Sequence, residues 1–330
     1  MTRFKPAQNH LSLGDAFFDR VVPADFPQTV LRHRDQRWAR RMGLDDLDTE
    51  QWLAHFGRFE PLPGSLPQPL ALRYHGHQFR SYNPDLGDGR GFLFAQGYDL
   101  EDGRLLDFGT KGSGRTPWSR GGDGKLTLKG GMREVLATEM LEALGVYTSK
   151  SFSLVETGEE LYRGDEPSPT RASVLVRLSH SHIRIGTFQR LAYLEDTANL
   201  ARLLDYSIAN YYPELGDAPD KAVAFLEAVA GNVARLGAQW IAAGFVRAQE
   251  LRTVADELRA LPEPTDDDRR LLDDAVAAAG QLELIGRSRV DLINQCAREA
   301  LLVDESLRLE EERARTEEQR ERLHGKLNSM

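Results

Sequence analysis

The sequence predicts an α+β fold in which a β-rich segment precedes a helical one, and three observations carry that expectation. Two apolar runs, GFLFAQGY (91–98) and LLDFGTK (105–111), flank Asp102-Gly103, which is the pattern of a β-hairpin. Residues 131–145 instead place Met132, Val135, Leu136, Met140, Leu141 and Leu144 three and four apart, which is helical spacing. The same spacing governs most of the chain beyond residue 190.

Taken in order, residues 1–70 are rich in proline and aromatics with little periodicity and are expected to form an N-terminal extension. PLPGSLPQP (61–69) reads as an extended connection. NPDLGDGRG (83–91) is a loop leading into the hairpin, and TKGSGRTPWSRGGDGK (110–125) follows it. The helix over 131–145 is expected to close at Gly145. SFSLVETGEELYR (151–163) reads as a second hairpin and residues 172–186 begin as another strand, so 90–185 has the order β-β-loop-α-β-β-β. Helices are expected over 191–210, 219–246, 249–261 and 268–285. In 310–322, ten of thirteen residues are charged and no a/d apolar seam runs through them. That predicts an exposed, fast-exchanging tail over 304–330 rather than a coiled coil. TDDD (265–268) after Pro264 is expected to cap a helix.

Composition narrows the function classes. A formal net charge of −9 argues against general binding of nucleic acid or an anionic membrane, so any anion site must be local. Cys296 is the only cysteine, which excludes an intrachain disulfide and a cysteine-based zinc site and fits a reducing compartment. The segment MTRFKPAQNHLSLGDAFF lacks a signal-peptide core, and no run of about 18 apolar residues occurs, so a cytoplasmic location is expected.

The stretch 110–125 concentrates five glycines with Lys111, Arg115, Arg120 and Lys125 against one acid, Asp123. Glycine backbone with cations suits phosphate. The Walker A pattern fails, because Ser119 holds the first glycine position and Leu126 follows Gly124-Lys125. A dinucleotide GxGxxG from Gly112 fails at Pro117. Lys111, however, ends a strand, and Glu134 lies 23 residues on in a helix, near its buried edge. A strand lysine held by a helix glutamate and reaching a nucleotide phosphate is protein-kinase logic; an ordinary ion pair is the alternative. Arg177 faces away from Val174, Val176 and Leu178 and, with Arg184, is free to reach a cleft; a surface ion pair is the alternative for each. His75/His77 and His180/His182 lack a third metal ligand and are expected to pack or hydrogen-bond. No GxSxG elbow occurs.

LALRYHGHQF, NPDLGDGR, TKGSGRTPWSRGGDG, MREVLATEML and SHSHIRIGTF together resemble the signatures of the SelO family (selenoprotein O, YdiU-like), over about residues 1–246. The resemblance implies a protein-kinase-like bilobal fold: a β-rich nucleotide-binding lobe over 71–190 and a helical lobe over 191–303. It implies transfer of AMP from ATP to Ser, Thr or Tyr hydroxyls of proteins, with the nucleotide inverted relative to kinases and Mg2+ or Mn2+ as the metal. Gly87, Gly89 and Arg90 match the family's first nucleotide-contact loop, and Asp123 and Gly124 its second. Lys111 matches the phosphate-binding lysine, Glu134 the glutamate that holds it, and Arg177 and Arg184 the two nucleotide-contacting arginines.

After residue 246 the chain departs from the pattern. The family's His-Gly, Asn-Thr-Asp-Asn and Asp-Tyr-Gly segments supply its catalytic base and metal ligands. RAQELRTVADELRALPEPTDDD stands here instead. No catalytic base or metal ligand is therefore matched, and the helical lobe is expected to be divergent and incomplete. Two readings follow: an adenylyltransferase, or an ATP-binding pseudoenzyme without the magnesium site. A third, an interaction protein working through its charged tail, leaves the five motifs without a role.

Overall fold

A computed structural model of the chain describes residues 3–78, 81–164 and 166–243, together with Arg259 and Arg269. The strands are β1 (Lys5–Ala7), β2 (Phe18–Arg20), β3 (Val30–Arg34), β4 (Leu70–Leu72), β5 (Gly76–Gln78), β6 (Ser81–Asn83), β7 (Leu93–Tyr98), β8 (Leu105–Lys111), β9 (Leu126–Thr127), β10 (Lys150–Leu161) and β11 (Thr170–Ser179). The helices are α1 (Gln36–Met42), α2 (Thr49–Phe56), α3 (Leu128–Ala143), α4 (Ile185–Tyr193), α5 (Thr197–Tyr211) and α6 (Lys221–Ala242). Among the described residues this is a mixed α+β fold built on one large antiparallel sheet.

The sheet runs β2-β4-β7-β8-β11-β10-β3, with β1 paired to β7 and β9 to β11. The expected hairpin is β7–β8, in which Tyr98 faces Leu105 across the turn. Period-two alternation is muted in these strands, because Phe94, Ala95, Leu106 and Phe108 are all buried. Trp52 and Phe56 of α2 meet Phe152 at 5.0 and 5.1 Å, and Phe108 meets the same ring at 5.1 Å. Leu191 of α4 and Leu203 of α5 join Leu13, Phe17, Leu70 and Leu93 in a second cluster.

Residues 1–70 are not an appendage. They supply β1, β2 and β3 to the sheet and α1 and α2 to its aromatic core. Their short strands, three to five residues each, leave too few alternations for a period to show. Local chemistry nonetheless fixes the helix starts: Asp35 accepts from the N–H groups of Arg37 and Trp38, and Asp48 forms a capping box with Gln51.

Two further expectations are corrected. Residues 151–163 do not turn back as a hairpin; they form the single long strand β10, antiparallel to β11. Gly158, at φ +73°, sits where the register slips between Glu156 and Glu160, so it makes a bulge rather than a turn. The helix expected over 191–210 is broken into α4 and α5. Glu195 has φ +55°, and the Asp196 carboxylate accepts the Asn199 N–H at 3.1 Å to start a new helix. The helix at 131–145 begins three residues early, where Thr127 caps it through the Gly130 N–H at 3.1 Å. Gly145 stands one residue beyond the cap, at φ +76°.

The chain divides into the units Met1–Ala243 and Gly244–Met330, and the boundaries expected at residues 70 and 190 both fall inside the first. Apart from Arg259 and Arg269, the helices expected over 249–261 and 268–285, the cap at 265–268 and the charged tail over 304–330 lie outside the described residues. No helix among the described residues is long and apolar enough to cross a membrane.

Candidate functional site

The end of β8 lies beside the second half of β11, antiparallel to it. Their register sets Arg177 opposite Gly109 and Leu175 opposite Lys111, so Lys111 and Arg177 emerge near one another. Both turn toward α3. The Lys111 ammonium donates to Glu134 Oε1, and Arg177 Nη1 lies 3.6 Å from Glu134 Oε2. Arg177 Nη2 also donates to the Ser149 hydroxyl. One carboxylate, a quarter exposed, therefore holds two cations.

Lys111, Ser149 and Arg177 line a cleft of about 410 Å³ that also includes Gly89, Arg90 and Arg184. Arg184 Nη2 lies 3.3 Å from Asp88 Oδ1, and its guanidinium sits 4.7 Å from the centre of the Tyr74 ring. Asp88 is buried, which raises its carboxyl, while the Arg184 charge pulls the other way. Arg90 is exposed. Four cations thus face two carboxylates, and the cleft carries excess positive charge in an acidic chain. Such a surface suits a polyanion of nucleotide size.

Four of the expected site residues do not line this cleft: Gly87, Asp123, Gly124 and Glu134, the last of which acts on it through Lys111 and Arg177. Asp123 accepts the Lys125 N–H at 3.0 Å and pairs with Arg163 at 2.8 Å. Gly124, at φ +73°, is required by close packing, since a Cβ there would meet the Gly114 carbonyl carbon at 2.2 Å. The loop 83–91 and the stretch 110–125 lock together. Thr116 Oγ1 donates to the Asp88 carbonyl, Ser119 Oγ donates to the Gly89 carbonyl, and Trp118 Nε1 donates to Asp19 at 3.0 Å. Lys125 is turned to Glu159, 2.8 Å away, rather than to the cleft.

Sequence reasoning missed Tyr74, Asp88, Ser149 and His182, which all line the cleft. For Asp88 a signal existed, as it is an acid between the two glycines of NPDLGDGR. The histidines make ordinary contacts: His75 Nδ1 lies 2.8 Å from the Tyr82 hydroxyl, and the His180 ring packs on Tyr211 at 5.4 Å. Burial, then the charges of Arg184 and Arg177, lower His182 to about 3, so it is neutral at ordinary pH.

A family model described as "Protein adenylyltransferase SelO" matches residues 2–251. The chain is 56% identical over 239 residues to "Protein nucleotidyltransferase YdiU" of Gloeobacter violaceus, covering 72% of this chain and 48% of that protein. The protein of the same description from Synechocystis sp. is 56% identical over 239 residues, covering 71% and 49%. That from Nitrobacter winogradskyi is 40% identical over 234 residues, covering 70% and 45%. The chain spans about half the length of these curated relatives.

Proposed function

The chain belongs to the SelO protein adenylyltransferase family, and from that premise we propose that its cleft binds ATP for AMP transfer to Ser, Thr or Tyr hydroxyls of proteins. The observation that carries the reading is the Lys111–Glu134–Arg177 arrangement, with Arg184 and Arg90 on the same cleft. A strand lysine paired to a helix glutamate supports a protein-kinase-like arrangement of this region. ATP brings about four negative charges, and oriented cations on a partly dehydrated surface offset them.

In this reading Arg90, Lys111, Arg177 and Arg184 contact phosphate and Glu134 keeps two of them oriented. The Gly89 backbone lies against the nucleotide. Gly87, Asp123 and Gly124 act behind the cleft, through the packing of the two loops. The partners are proteins bearing hydroxyl side chains, not nucleic acid or membrane, and the cytoplasm is the proposed location.

The family reading implies magnesium or manganese, which would neutralise charge on the transferring phosphoryl group. Among the described residues, no three His, Cys, Asp or Glu side chains converge to hold an ion. The sequence has neither Asn-Thr-Asp-Asn nor Asp-Tyr-Gly. The described residues do not fit the metal, so the chemistry assigned to them is binding and orientation. That same sequence departure favours a second reading, ATP binding without transfer.

Calorimetry with ATP tests the site. Lys111→Ala is expected to weaken binding by about 1.5–3 kcal/mol, the worth of a charge-assisted hydrogen bond. Unchanged affinity would overturn the assignment.

A further inference from the structure

Asp107 lies on β8 within the otherwise apolar run that ends at Lys111, and it is completely buried. A buried carboxylate ordinarily pairs with a cation. Here the basic group within ion-pair distance is the His182 imidazole, 3.8 Å away, and that ring is neutral. What Asp107 has instead is two donors of fixed direction. Oδ1 accepts from Gln96 Nε2 at 2.7 Å, and Oδ2 accepts the backbone N–H of His182 at 2.7 Å. Gln96 cannot turn over without loss, because its Oε1 accepts the backbone N–H of His10 at 2.8 Å. Both oxygens of residue 107 must therefore accept.

The residue held in this way matters to the cleft. His182 falls between Arg177 and Arg184 in the chain, at the passage from β11 to α4. Its ring fills the space beside Gly109, where a Cβ would lie 1.8 Å from His182 Nε2. Its Nδ1 is 3.1 Å from the Ser179 hydroxyl. With backbone and ring both fixed, the segment 177–184 has little freedom, and Arg184 reaches Asp88 and Tyr74 from its end.

We propose that Asp107 is a positioning residue: from beneath the cleft its carboxylate holds the His182 backbone and so sets where Arg177 and Arg184 present their guanidinium groups to phosphate. The inference rests on the nucleotide reading of the cleft and adds to it a residue that does not line it.

The hold is sensitive to pH. Burial raises the Asp107 carboxyl to about 7, against the pull of the two donors. Protonation turns one acceptor into a donor, and one N–H then loses its partner. The titratable groups around it are His182, His10 through Gln96, and Tyr206 and Tyr211 of α5. Burial lowers His10 to about 4 and raises Tyr206 to about 12 and Tyr211 well above its ordinary value. Of this group only Asp107 changes charge near neutrality.

The test uses the full chain, ATP with magnesium, and the near-isosteric Asp107→Asn. Affinity is measured by calorimetry well below and well above about pH 7, and exchange of the His182 amide is followed by NMR. Above that pH, Asp107→Asn should bind ATP about tenfold more weakly than the wild type, and the gap should close below it. The His182 amide should exchange faster in the variant. Ionisation of ATP itself is common to both proteins and cancels in the ratio. Equal affinities at every pH with equal His182 protection would overturn the inference while leaving the nucleotide reading intact. Failure of the wild type to bind ATP would overturn both. If Asp107→Asn does not fold, the wild type decides: its His182 amide must lose protection relative to the amides of β11 as the pH falls through about 7, and unchanged protection refutes the proposal.

Discussion

The Trp118 indole occupies the place where a side chain on Gly87 would begin: a Cβ built on residue 87 meets Trp118 Cγ at 2.4 Å. A Cβ on Gly89 would likewise meet the Trp118 carbonyl oxygen at 2.7 Å. The glycines of the first loop therefore seat the tryptophan of the second. The indole is pinned in turn by Asp19, which also binds Arg73. The Gly89 backbone on the cleft wall is thus fixed by its packing against the second loop.

Gly87→Ala should consequently destabilise the fold by about 1–3 kcal/mol, the usual range for overpacking. Gly121→Ala is the control. A Cβ there meets nothing within 4 Å, and its φ of +82° leaves only backbone strain, about 1–2 kcal/mol. Denaturant unfolding monitored by tryptophan fluorescence separates them, because only Gly87→Ala should also change the emission of the folded state. Identical folded-state spectra would count against the Trp118 seat.

Glu134→Gln distinguishes orientation from net charge. It keeps the size of the side chain while removing the carboxylate that holds Lys111 and Arg177. If orientation governs, ATP binding weakens by about 1 kcal/mol or more, the worth of one charged hydrogen bond. If only net positive charge governs, binding tightens. Weaker binding is expected, and calorimetry reads the sign.

His10 makes a pH prediction. Its ring is buried beside Phe18 and Tyr206, neither ring nitrogen has a hydrogen-bond partner, and burial lowers it to about 4. The unfolded chain thus takes up a proton below about 6.5 that the folded chain refuses until about 4. Stability from this group is full above about 6.5 and is lost as pH falls to about 4, on the order of 3 kcal/mol. His182 acts in the same sense and Asp107 in the opposite one, so the readout is a difference. His10→Phe should lose less stability than the wild type on acidification through that window, measured by denaturant titration at several pH values. Parallel curves would refute it.

AMP transfer by this chain should be absent or far below that of the Gloeobacter relative assayed beside it. Positioning of ATP supplies only part of phosphoryl-transfer catalysis, and the family's metal-ligand runs are not in this sequence. Mass spectrometry of candidate proteins incubated with the chain, ATP and magnesium or manganese reads the adducts. Transfer that is robust in the wild type and lost in Lys111→Ala would show that a metal site is built from other residues.

The elements legible in the sequence were those whose signal is local. The spacing of Val135 and Leu141, with Gly145 beyond, marked α3, and Asp102-Gly103 between two apolar runs marked β7–β8. The Lys111–Glu134 contact was legible too, because a strand end and a helix edge each leave a charged residue that needs a partner. Residues 151–163 were not legible in this way: Gly158 permits positive φ, but permission does not say whether the chain turns or bulges. That choice was made by β3 and β11, which pair with β10 on its two sides and keep it extended.

Short runs of residues carried the mixed α+β class and the family, and they singled out Arg90, Lys111, Arg177 and Arg184, which the fold gathers on one cleft. The tertiary structure alone decided that residues 1–70 belong to the sheet, with Leu31 paired to Val155 across more than a hundred residues of chain. It decided which glycines face Trp118 and which line the cleft, and that Asp88 and Asp107 stand buried around it. The physical reason is one of range. Periodicity and capping report on neighbours a few residues away, whereas strand pairing, close backbone approach and burial of charge depend on segments that only the completed fold brings together.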